Sequence, residues 1–153
     1  MVRPGIAGLA LLAAASLTLV ACGGDTAEKN DYVDEVNEVT STLQSGLTEV
    51  GSGATVNSPD RAAAVFEEFA GQLDAAVTDL DGVSAPDDVA GLHDEVVENL
   101  RTLEDEATGA ANEIKTGGAA AIAGVSAQFL TEANRVGIDI DSTIGEINSQ
   151  LQG

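Results

Sequence analysis

Three kinds of residue in this chain could do chemistry: one cysteine, one histidine and a knot of aspartates. Cys22 stands directly after an apolar run, in "SLTLVACGG" at residues 16–24. A lone cysteine can form no internal disulfide, which leaves a free thiol or a modified one. His93 is the natural suspect for a base or a metal ligand. On a helix, however, its same-face neighbours are Val89, Ala90, Val96 and Val97, and none of them can ligate or orient an imidazole. The Glu-x-x-His pair of di-iron helical bundles is also missing, because position 90 is Ala. His93 is therefore expected to pack or to hydrogen-bond.

Asp79, Asp81, Asp87 and Asp88 gather around one turn of the chain. Aligned to a calcium-binding loop, Asp79, Asp81, Gly82 and Asp88 fall at positions 3, 5, 6 and 12. The first ligand would then be Val77, and Pro86 interrupts the loop, so the pattern fails. Asp79 and Asp81 do sit where the negative end of a helix disfavours them, and a divalent cation would relieve that repulsion. Solvent and salt relieve it as well. The four aspartates are the only metal candidates, and neither a metal nor a cofactor is expected. With His93 lacking local support, nucleophilic catalysis is left only with Ser/Lys or carboxylate combinations that the sequence does not place, and no Gly-rich loop precedes a lysine: Gly117-Gly118 follows Lys115. A non-enzyme is the expectation.

Composition narrows the functions further. All 26 acidic residues lie beyond residue 21, against five basic ones there (Lys29, Arg61, Arg101, Lys115, Arg135), for a formal charge of −21. Nucleic-acid binding needs clustered Lys and Arg on phosphates, so it is excluded as a function class. A polybasic membrane-docking surface is equally absent. Acidity at this level serves solubility, and it also attracts cations or a basic partner. Tyr32, Phe66, Phe69 and Phe129 are the only aromatics, which argues against an aromatic-walled pocket.

The elements that must position these residues read as helices. Tyr32, Val36, Val39, Leu43, Leu47 and Val50 recur at spacings of three and four, one apolar face from about Ala27 to the break at Gly51-Ser52-Gly53. Ser58-Pro59 restarts the pattern as N-cap and first helical residue, and Ala62, Phe66, Phe69, Leu73, Val77 and Leu80 follow up to Gly82. Ser84-Ala85-Pro86-Asp87 predicts a capping box opening a third helix, with its apolar stripe from Val89 through Leu100 to Ile114. After Gly117-Gly118 a fourth runs from Ala119 to about Leu151, with a bend predicted near Gly137. On the third helix, Asp94, Glu98, Arg101 and Asp105 form a solvated charge row. Four apolar stripes joined by short breaks predict an all-α, antiparallel four-helix bundle.

The N-terminus has a different character. Arg3 is its one charge, and Gly5 to Ala21 is apolar or small throughout. Such a run is a little short for a bilayer-spanning helix of about 20 residues, and it has the regions of an export signal. Leu19-Val20-Ala21-Cys22 resembles the lipobox of bacterial lipoproteins, with Val20 a less usual occupant of its position. That resemblance implies cleavage before Cys22 and a diacylglyceryl group, with acyl chains of the palmitate kind, on its sulfur. Two chains anchor stably where one binds only marginally.

The body, through "DYVDEVNEV" at 31–39 and "APDDVAGLHDEVVENL" at 85–100, is similar to small, acidic, helical lipoproteins of actinobacteria. It implies the outer face of a cytoplasmic membrane and brings no catalytic residues with it. The expected organisation is a signal peptide at 1–21, a lipidated Cys22 with a flexible tether to 27, and a helical domain at 28–153. The expected function is a lipid-anchored, extracytoplasmic, non-enzymatic binding or interaction module at the cell envelope, with an envelope protein as partner. The alternative is a cation- or small-ligand-binding lipoprotein serving a membrane complex.

Overall fold

The structure, a computed structural model, describes residues 26–53 and 58–152. Every regular element among them is helical: α1 (Thr26–Gly53), α2 (Pro59–Asp81), α3 (Ala90–Gly117) and α4 (Ile122–Gln152), with a short 3-10 turn at Gly118–Ala120. The helices form a bundle in which α2 packs most extensively on α3, α3 on α4, and α1 on α2. The expected stripes supply its core. Leu73, Ile114, Ile147 and Val136 are among the largest fully buried side chains, each contributing about 1.5–3 kcal/mol of transfer free energy. Phe66, expected inside, is only half-buried, and Val33, Val65 and Val97 join the core beside the predicted stripes.

The helix ends follow local chemistry in four cases and depart from it in one. Ser58 caps α2 as expected, its hydroxyl accepting from the Arg61 N–H at 3.2 Å with Pro59 in the first turn. Gly82 closes α2, its N–H donating to the Asp79 carbonyl at 3.1 Å while the next N–H, of Val83, donates to the Leu80 carbonyl at 2.9 Å. Gly118 takes φ 64°, a conformation in which a side chain is strained, and lets α3 turn toward α4. Gly51-Ser52-Gly53 forms the last turn of α1, which ends at Gly53 as the break predicts. The Ser52 hydroxyl donates to the Glu49 carbonyl at 3.1 Å there.

The predicted capping box of α3 is the departure. Residues 84–86 are irregular, 87–89 form a turn, and α3 begins at Ala90 with Val89 at the cap and no side-chain cap bond. The Val89 N–H donates to the Pro86 carbonyl at 2.9 Å. Pro86 and Val89 are both buried, Val89 completely. A side-chain cap contributes about 1 kcal/mol, whereas burying a valine contributes about 1.5–3 kcal/mol, so burial decides where the helix starts. α4 shows no break at the predicted bend: it stays helical through Gly137, between buried Val136 and Ile140.

Candidate functional site

Two places on α3 bring together polar groups from distant parts of the chain. The first lies at its N-terminal end. His93 is buried there, 6% exposed, and so is Tyr32 of α1, 2% exposed. His93 Nε2 lies 3.1 Å from the Leu80 carbonyl at the end of α2, and Nδ1 lies 3.3 Å from the Tyr32 hydroxyl. A carbonyl only accepts, so Nε2 carries the proton and donates, and the Tyr32 hydroxyl donates to Nδ1. The rings meet edge to face with centroids 5.7 Å apart. Burial pushes the Tyr32 hydroxyl up to about 12 from the ordinary 10.0. Beside this chain of bonds Lys29 of α1 reaches Asp88 at 3.5 Å. One polar chain thus joins α1, α2 and α3, and no buried side-chain nitrogen or oxygen among the described residues lacks a partner.

Tyr32 was legible only as one member of an apolar stripe. Its hydroxyl was the available signal, because a buried tyrosine finds a hydrogen-bond partner. The partner, 61 residues away, could not be read from helix spacing.

The acidic turn is less concentrated than its sequence suggested. Asp79, Asp81, Asp87 and Asp88 are all exposed. Asp81 is held by Arg101 of α3 at 2.5 Å, and Asp88 by Lys29. Among the described residues no three His, Cys, Asp or Glu side chains converge on a point that could hold a metal ion. Arg101, expected in a row along α3, makes its short contact across to α2 and lies 3.9 Å from Glu98. Cys22 lies outside the described residues.

The second place is a cleft of about 260 Å³ between α3 and α4. Its floor includes Ala110, Val125 and Phe129, all buried. Phe129 is braced from behind by Phe66 and Phe69 of α2, edge to face at centroid distances of 5.1 and 5.2 Å. Asp105, Glu106 and Glu113 of α3 and Gln128 of α4 line the cleft as well. Gly109 lines it too, and a Cβ there would meet nothing within 4 Å. Sequence reasoning missed this site, although the three acids and Gly109 at spacings of three and four carried the signal.

The basic residues show why the cleft stays acidic. Lys29, Arg61, Arg101, Lys115 and Arg135 each have a carboxylate partner, and in no case is it one of these three acids. Arg135 bonds Glu132 and Asp139, and the Glu132 bond leads the upward push on its already high pKa; Glu106 adds to that push from further off. Compared with known families, curated proteins and solved structures, the chain matches none.

Proposed function

We propose that this protein is a lipid-anchored lipoprotein whose helical body works as a non-enzymatic binding or interaction module on the extracytoplasmic face of the cell membrane. The observation that carries the reading is Leu19-Val20-Ala21-Cys22 at the end of an uncharged run, four residues before the first residue of α1. Among the described residues no helix is long and apolar enough to cross a membrane, so the reading puts attachment on the Cys22 sulfur. An anionic body then stands off anionic headgroups on its tether.

An antiparallel bundle is the arrangement this reading assumes. Two ion pairs support it: from Arg101–Asp81 to Lys115–Glu67 the chain advances 14 residues along α3 and retreats 14 along α2. Support for a non-enzymatic role comes from His93, whose ring nitrogens are both engaged inside the core. The α3–α4 cleft favours a second reading, in which the module binds a small cationic ligand for a membrane complex.

Intact-mass measurement on the membrane fraction tests the anchor. The mature chain should begin at Cys22 and carry the mass of a diacylglyceryl group, and Cys22→Ser should abolish both the added mass and membrane retention. An unmodified Cys22 in a protein released to the medium would overturn the reading.

A further inference from the structure

The α3–α4 cleft has properties that select among cations. Its acids do not converge. Asp105 and Glu106 lie at one end and Glu113 at the other, seven to eight residues along α3. At 1.5 Å per residue the two ends are about 11 Å apart. Between them the floor is apolar, with Ala110, Val125 and the braced ring of Phe129. A bare metal ion wants several oxygens at one point, and the cleft strings them out. A monovalent ammonium would satisfy one end alone.

A flexible aliphatic chain with an ammonium near each end fits both features. Its methylenes cover apolar floor while the charged heads stay at the wet rim, as lysine stems do on protein surfaces. The volume, about 260 Å³, is at the small end of ligand pockets and suits a thin chain better than a ring system. Among the described residues none of the three acids forms a hydrogen bond or ion pair, and Arg135 acts on Glu106 only from further off, so the ligand displaces no bonded partner there.

We propose that the cleft between α3 and α4 binds a linear aliphatic amine bearing two or more ammonium groups, with Asp105 and Glu106 holding one end and Glu113 the other. The proposal rests on the binding-module reading above but is independent of the anchor. If Cys22 proves unmodified, binding in the cleft is unaffected; if the cleft binds nothing, lipidation is unaffected.

The test is calorimetric titration of spermidine into the mature protein in non-ionic detergent. A body this acidic attracts polycations diffusely, so the decisive comparison is between two variants of equal charge. One carries Asp105→Asn, Glu106→Gln and Glu113→Gln; the other carries Asp31→Asn, Asp34→Asn and Glu35→Gln on the exposed face of α1. The wild type should show one saturable site. The cleft variant should weaken it by at least about tenfold, one such factor being about 1.4 kcal/mol, and the α1 variant by less than about twofold. Gly109→Leu, which fills the cleft and leaves every charge in place, should weaken binding as well. Equal losses in the two triple variants, or no saturable site in the wild type, would overturn the proposal.

Discussion

The two halves of α3 treat polar groups in opposite ways. At its N-terminal end His93 is closed in by Tyr32 and the Leu80 carbonyl, and each donor meets one acceptor. Toward its C-terminal end Asp105, Glu106 and Glu113 line an open cleft and meet no hydrogen-bond donor among the described residues. The first arrangement contributes to folding, because a satisfied buried network costs most when one member is removed. The second contributes little to folding, because exposed like charges repel weakly and are screened. Stability should therefore be sensitive at the first place and tolerant at the second.

The largest effect is expected from His93→Leu. It strands the Tyr32 hydroxyl in the core and takes one donor from the Leu80 carbonyl, which keeps the Val83 N–H at 2.9 Å, and should destabilise by about 2–3 kcal/mol, read from the midpoint of denaturant unfolding. A midpoint close to that of the wild type would mean that the polar chain is not holding the three helices. Next comes Tyr32→Phe, which strands only His93 Nδ1 and should cost about 1–2 kcal/mol.

That variant also carries a pH test. The Tyr32 hydroxyl is raised to about 12 in the folded protein from the ordinary 10.0. The unfolded chain therefore loses this proton first as pH rises. The stability margin of wild type over Tyr32→Phe should be intact below pH 10 and shrink between about 10 and about 12. Unfolding measured across that window should show the two proteins converging, and a constant margin would place Tyr32 in contact with water.

What could be read in advance follows the range of the interaction. The stripes of α2 and α3 and the Ser58 cap depend on neighbours three or four residues away, so residue order exposes them. The start of α3 was misread because Val89 and Pro86 answer to the whole core rather than to Ser84. Tyr32 and His93, 61 residues apart, belong to separate stripes until α1 and α3 meet at one end of the bundle. The cleft was hidden for a related reason. It is built from residues of α3 and from Val125 and Phe129 of α4, and the face of one helix marks a site only once a wall stands opposite.

Gly109→Ala sharpens the contrast at the open end. The position is exposed, and a methyl group there would meet nothing within 4 Å. Alanine should therefore stabilise the chain, by up to about 1 kcal/mol, read as a higher melting temperature. Gly46 is the contrasting case on α1: a Cβ there would lie 2.0 Å from Gln72 Oε1, so its replacement requires the end of the Gln72 side chain of α2 to swing aside.

The smallest effect is expected at Glu104, which adjoins the cleft on α3. Partial burial, then repulsion from Asp74 and Asp105, raise its carboxyl above the usual range, and Arg101 only partly offsets them. The folded state thus disfavours the charge relative to the unfolded chain. Stability is lost as pH rises from the ordinary carboxyl pKa through the raised one, and it is regained on acidification. Glu104→Gln removes the charge and should raise the melting temperature slightly at pH 7, with the gain vanishing in acid. Added salt separates the causes. Screening weakens the repulsion from Asp74 and Asp105 but leaves the burial penalty in place. Because burial is the leading cause, part of the gain should survive high salt. A gain abolished entirely by salt would mean that the acids of this region act only through long-range repulsion, and that the open half of α3 begins at Glu104 rather than at Asp105.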